Sequence, residues 1–169
     1  MIIILAVIIL SLIGVDQLVK YWAVTSLKPE GSMDFIHFGN FKIFDLTYLE
    51  NKGAIFGSMA GQRWFLIGFT SLLILAGIFI LIKYRNRSNL LTAAVSLFVA
   101  GGIGNLIDRI RFGYVVDMFE FKIFKFAIFN VADIYVTFAM IILAVYILFF
   151  DSKSSKSKDS AEALNKTNE

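Results

Sequence analysis

The chain has 169 residues, of which 58% are hydrophobic and only 17% charged, with a mean hydropathy of +0.76 and a formal net charge of +3. A soluble monomer of one domain's length cannot hide so much apolar surface, so the composition places the chain in a bilayer. The absence of cysteine excludes a disulfide framework, a thiol nucleophile and Cys-ligated zinc or iron–sulfur; the single histidine, His37, argues against a His-based metal site; and the small net charge argues against nucleic-acid binding.

Four stretches predict spanning helices, each near the roughly 20 residues that cross about 30 Å of hydrocarbon. The first, from 2 to about 24, is uncharged through Val15 and then carries Asp16, Gln17 and Lys20. It lacks a basic leader and a small-residue cleavage site, so it reads as a retained span. Residues 28–63 hold the one proline, Pro29, and a strand-like run at 41–48 rich in aromatic and β-branched residues, which predicts a small sheet on the membrane surface. This segment closes on Glu50-Asn51-Lys52-Gly53-Ala54-Ile55-Phe56-Gly57, read either as a plain turn or as a surface that binds an extended peptide. The second span, 64–82, has no charge. The third, 90–107, is also uncharged and contains Gly101, Gly102 and Gly104, which permit close helix packing. Residues 108–128 are rich in Phe interleaved with Lys122 and Lys125, a mixture suited to the headgroup interface. The fourth span, about 127–150, holds one acid, Asp133, which this start places roughly 6–10 Å along the helix at 1.5 Å rise per residue. The division expected is one membrane domain over 1–150 and a polar, disordered tail over 151–169.

Orientation follows from charge density. The loop between spans two and three carries Lys83, Arg85 and Arg87, and the tail carries Lys153, Lys156, Lys158 and Lys166, so both are expected in the cytoplasm. The other side has Lys28, Lys42, Lys52, Arg63, Arg109, Arg111, Lys122 and Lys125, but spread over two much longer loops. Antiparallel spans then bring Asp16, Gln17 and Lys20, Asn105, Asp108 and Arg109, and Asn130 and Asp133 to one polar cluster at the outer face. Acids inside a span are rare and usually functional.

Asp117 and Asp133 are the pair that stands out. A loop of about 15 residues joins them and can return, and two carboxyls that meet share a proton. One then activates water while the other protonates, which is metal-free peptide hydrolysis. The plain alternative is a solvated loop acid at Asp117 and a helix cap at Asp133. Asp108 and Arg109 are read as an ion pair that braces the end of span three beside Asn105. Asp16 and Lys20, one turn apart, can pair on one helix face, or Lys20 can reach the interface. A Ser/Lys peptidase finds no serine at an outer helix end. His37 reads as structural or interfacial.

These residues fall in five ordered motifs: Asp16-Gln17-Leu-Val-Lys20, Asn51-Lys-Gly53-Ala54-Ile-Phe56, Gly104-Asn105-Leu-Ile-Asp108-Arg109, Gly113-Tyr-Val-Val116-Asp117 and Phe129-Asn130-Val-Ala132-Asp133. In them the chain resembles the bacterial lipoprotein signal peptidases (signal peptidase II) over about residues 5–150. The resemblance implies a mainly α membrane fold: four transmembrane helices, a small extracytoplasmic β-cradle and an interfacial loop or helix. It implies an aspartic endopeptidase of the bacterial cell membrane that cuts prolipoproteins before a diacylglyceryl-modified cysteine. The catalytic pair would be Asp117 and Asp133, with Asp16, Lys20, Asn51, Gly53, Asn105, Asp108, Arg109, Asn130 and Ala132 lining or supporting the site. No metal and no other cofactor is implied; the partners implied are prolipoprotein substrates, membrane lipids and globomycin-type inhibitors. Two departures from the family pattern, Ile55 in the Asn-x-Gly motif and Met118 after Asp117, are both apolar and bear on side-chain fit rather than on the pair. The rival readings are another class of intramembrane aspartic protease, whose Gly-x-Gly-Asp pattern is absent, a small transporter that uses Asp133, and a structural subunit.

Overall fold

The computed structural model describes residues 2–54 and 58–151. Four helices are long and apolar enough to cross a membrane. Helix α1 (Ile2–Trp22) continues through a π-helical stretch, Ala23–Leu27, and a last turn, Lys28–Glu30. Strands β1 (Ser32–Phe38) and β2 (Phe41–Asn51) follow, then α2 (Arg63–Tyr84), α3 (Asn89–Arg111), β3 (Val115–Phe121) and α4 (Val131–Tyr146), which continues as Ile147–Asp151. The three strands form one antiparallel sheet in the order β1-β2-β3. The chain is thus a mainly α membrane protein with a small sheet. The polar tail beyond residue 151 and the 55–57 part of the Asn-x-Gly motif lie outside the described residues.

Helix α3 is the centre of the bundle and packs against α1, α2 and α4. In its most apolar stretch 44% of the residues are buried, against 6 to 17% in the other three spans. Two glycines let α3 approach its neighbours. A methyl group on Gly101 would lie 2.5 Å from the backbone oxygen of Ala132 in α4. One on Gly104 would lie 2.5 Å from Asp16 Oδ2 in α1. The outward faces carry large apolar side chains, among them Ile3, Leu10, Leu18, Trp64, Leu72, Leu75 and Phe138, which suit lipid and not water.

The sheet sits on the end of α1. Val116 and Met118 of β3 and Leu46 of β2 pack with Ala23 and Leu27 in a buried cluster. Because side chains alternate along a strand, Asp117 is turned to the opposite face, toward the helices. The register of β2 against β3 slips by one residue between Leu46, opposite Phe119, and Leu49, opposite Asp117. This bulge puts Asn51, opposite Val115, on the same face as Asp117. Without the slip Asn51 would point away.

Four boundaries differ from the sequence expectations. The sheet is not confined to residues 28–63: the 108–128 segment contributes β3, whose run Val115–Met118 is buried. Only its remainder, around the exposed Ile123, Phe124 and Phe126, stays a loop. The fourth helix starts at Val131 rather than 127, because Phe129 is bridged to Phe119 and Asn130 caps the helix. Asp133 therefore sits in the first turn, shallower than the earlier start predicts. The first and third helices run on to Glu30 and Arg111, beyond the expected 24 and 107.

Candidate active site

The site is assembled at one end of the bundle from the C-terminal ends of α1 and α3, the start of α4, the end of β2, and β3. The start of α4 is a capping box. Asn130 Oδ1 accepts the Asp133 N–H at 3.0 Å, and Asp133 Oδ2 accepts the Asn130 N–H at 3.1 Å. The two aspartates that the sequence singles out are brought together through this cap. Asn130 Nδ2 donates to Asp117 Oδ1 at 2.6 Å while its backbone holds Asp133. Asp117 Oδ2 accepts from Asn51 Nδ2 at 2.9 Å, and Asp133 Oδ1 accepts from Asn105 Nδ2 at 2.8 Å. All four carboxyl oxygens thus face donors. Asp133 belongs to a helix cap, as its plain reading held, and it shares Asn130 with Asp117.

The two carboxyls differ in setting. Asp117 is 1% exposed, whereas Asp133 is only partly buried. Burial, and then the neighbouring Asp133 charge, push Asp117 up to about 7; the Asn51 and Asn130 donors and Lys20 oppose this.

Behind the pair lies a buried ionic cluster. Lys20 Nζ is 3.0 Å from Asp16 Oδ2, 2.8 Å from Asp108 Oδ2 and 2.9 Å from Asn105 Oδ1. All three charged side chains are 3% exposed or less, so Lys20 is a buried partner and does not reach to the interface. The cluster ties elements together: Asp16 Oδ1 accepts the Ala132 N–H of α4 at 2.9 Å, and Asp108 Oδ2 accepts the Val116 N–H of β3 at 3.2 Å. Ala132 is fully buried, and its small side chain fits against Gly104.

The expected Asp108–Arg109 ion pair is not formed. Neighbours in sequence point about 100° apart on a helix, so the two diverge. Asp108 turns to Lys20. Arg109 turns to the β2 turn, where Nη2 donates to Gly53 O at 3.0 Å. Gly53 N in turn donates to Asn51 Oδ1 at 3.0 Å. Arg109 thereby fastens the turn that presents Asn51, and it lies within electrostatic reach of Asp117 and Asp133. Arg63 of α2 supports it by donating to the Arg109 and Ile110 carbonyls, both at 2.9 Å.

Gln17 was visible in the sequence as a polar residue in an apolar helix but was not assigned to the site. Its Nε2 reaches Asp16 Oδ2 and Asp108 Oδ1, each at 3.1 Å, and Gly104 O at 3.3 Å. It bridges the two supporting carboxylates. Among the described residues no group of three or more His, Cys, Asp or Glu side chains is placed to hold a metal ion. Two carboxyls held by amide donors, one of them raised toward neutrality, are equipped to move protons between water and a carbonyl.

Comparison with known proteins points the same way. The family model described as signal peptidase (SPase) II matches residues 8–149. The chain is 42% identical over 147 residues to a lipoprotein signal peptidase of Streptococcus thermophilus, covering 87% of this chain and 93% of that protein. It is 39% identical over 147 residues to one of Clostridioides difficile, covering 87% and 96%. Its fold is similar to two solved structures of a bacterial membrane enzyme obtained by the in meso method, each 30% identical. Their TM-scores are 0.80 and 0.76, with coverage of 88% and 86% of this chain and 90% and 93% of theirs.

Proposed function

The chain belongs to the signal peptidase II family, and from that premise we propose that it is an aspartic endopeptidase in which Asp117 and Asp133 activate a water molecule. The family places it among multi-pass bacterial membrane peptidases that remove signal peptides from prolipoproteins. The observation that carries the aspartic assignment is Asn130. One residue donates to both carboxyls, so the pair is built as a unit.

In this reading Asp117 holds the shared proton, since it is the more buried and is raised to about 7. Asp133 is the ionised partner. Its carboxylate takes a proton from water as the water oxygen attacks the scissile carbonyl carbon. The Asp117 proton goes to the carbonyl oxygen. When the tetrahedral intermediate collapses, the C–N bond breaks and a proton passes to the departing amine. The scissile bond precedes a diacylglyceryl-modified cysteine. The lipid of the substrate lies among outer-leaflet chains, and its signal helix packs against the spans. Exposed Ile123, Phe124 and Phe126 beside Lys122 and Lys125 suit contact with lipid headgroups. The termini face the cytoplasm and the site faces outward; globomycin-type inhibitors would occupy the same groove.

The test is cleavage of a fluorogenic diacylglyceryl-lipobox peptide by detergent-purified protein, beside Asp117→Asn and Asp133→Asn. Each variant keeps the size and removes the titrating carboxyl. We expect each to lose at least about 10³-fold in kcat while staying folded, on the scale of general acid–base catalysis, and we expect wild type to keep its rate under chelator. Variants that cut like wild type, or cleavage only with added metal, would sink the mechanism.

A further inference from the structure

Three asparagine amides present donors to the two carboxyls, and each is oriented by a group that can only donate. Asn51 Oδ1 takes the Gly53 N–H, and Asn130 Oδ1 takes the Asp133 N–H, each at 3.0 Å. Those two anchors are backbone. The third is a side chain: Asn105 Oδ1 takes the Lys20 ammonium at 2.9 Å, with Asn130 Nδ2 also on that oxygen at 3.1 Å. Asn105 Nδ2 is thereby left to face Asp133 Oδ1 at 2.8 Å. A buried cation on an amide oxygen polarises the amide and strengthens the N–H on its far side.

We propose that Lys20 is a positioning residue for catalysis: through Asn105 it orients and polarises the N–H donor on Asp133 Oδ1. Of the three ammonium N–H donors, the one on Asn105 Oδ1 is directed at the amide that faces Asp133. Asp16 and Asp108 already surround the ammonium with two carboxylates, and Gln17 bridges the same two. Among the described residues the charged groups around the pair are Asp16 and Lys20 from α1 and Asp108 and Arg109 from α3, and Asp117 on β3 feels the charge of Asp133 on α4. Lys20 is the one that reaches the pair through a single hydrogen-bonded amide. The inference rests on the proposed Asp117–Asp133 mechanism.

The experiment is a double-mutant cycle read as the pH profile of kcat. Lys20→Met alone would strand Asp16 and Asp108 without a cation, so it is combined with Asp108→Asn, which keeps the net charge of the cluster. Asn105→Ala is the second arm, and it leaves the Lys20 charge in place. Expected for each arm is a kcat loss of about 10–100-fold with KM within about twofold, and an acid-side limb moved to higher pH by about one unit. The combined variant is expected to shift the limb no further, since both changes remove one relay. A lower rate with an unmoved limb, or additive shifts, overturns the proposal. If K20M/D108N does not fold, an unmoved limb in Asn105→Ala overturns it alone. Activity in Asp117→Asn or Asp133→Asn would instead overturn the underlying mechanism, which separates the two failures.

Discussion

The sequence singles out Asp117 as one half of an acidic pair with Asp133, but only its burial in β3 sets its proton affinity. With its pKa raised to about 7, it is protonated through the acid range and ionises near neutrality. Above that point both carboxyls are charged, and no proton is available for the carbonyl oxygen. The kcat profile is therefore expected to fall on the alkaline side with an apparent pKa near 7, a value that belongs to the coupled pair. Stability carries the same sign. The folded state holds this proton more tightly than the unfolded chain, whose carboxyl has the ordinary value of 3.8. The contribution is thus most favourable below that value and is lost as pH rises toward about 7. Asp117→Asn removes the loss, so at pH 8 the inactive variant is expected to melt a few degrees above wild type, and at pH 4 not to. Equal melting temperatures at pH 8 would contradict the raised pKa. Arg109 and Asp108 show the opposite kind of legibility. Their adjacency suggested a pair, but helical geometry sends them to different partners, and no sequence spacing says which carbonyl an arginine will find.

At the scale of elements, the site depends on how closely α3 meets α1 and α4. The glycines of α3 were legible as packing residues, but their partners were not. Gly101→Ala places a methyl against the Ala132 carbonyl, which belongs to backbone in the first turn of α4 and cannot swing aside. That turn must move, and Asp133 moves with it relative to Asn105. The expected outcome is a melting temperature lowered by several degrees, at the roughly 1–3 kcal/mol typical of overpacking, and activity reduced more than tenfold. Full activity in Gly101→Ala would show that the α3–α4 spacing does not set the carboxyl geometry. The β-bulge is a second device of this scale. An alternation pattern in residues 41–48 predicts a strand, but a one-residue slip further along β2 decides which face Asn51 occupies. Hydropathy likewise could not find the start of α4. Residues 127–129 are apolar enough to be helix, yet the backbone of Phe129 is taken by β3, and the Asn130 cap begins the helix later.

Across the whole molecule, every polar group of the site lies at one end of the bundle. The loop Arg85–Ser88 lies at the other end, between α2 and α3. The natural chain has no cysteine, so single cysteines report sidedness without background. Asn40→Cys lies in the exposed turn between β1 and β2, and Asn86→Cys in the exposed α2–α3 loop. In intact cells a membrane-impermeant maleimide is expected to label Asn40→Cys and to leave Asn86→Cys unlabelled until the membrane is permeabilised. The reverse pattern would put the site in the cytoplasm and end the reading of an outward-facing peptidase.

By itself the sequence determined the solvent and the number of spans, and it marked the polar residues that the fold gathers into one cluster. Those follow from composition and from the cost of each polar group in hydrocarbon, which local sequence expresses directly. The tertiary structure decided the partners. Asp117 and Asp133 come to share Asn130 because β3 pairs with β2 and is bridged to Phe129, just before the cap. Lys20 reaches Asn105 because Gly104 lets α1 and α3 close. Those are contacts between elements far apart in the chain, fixed by packing and register, and no local pattern of residues encodes them.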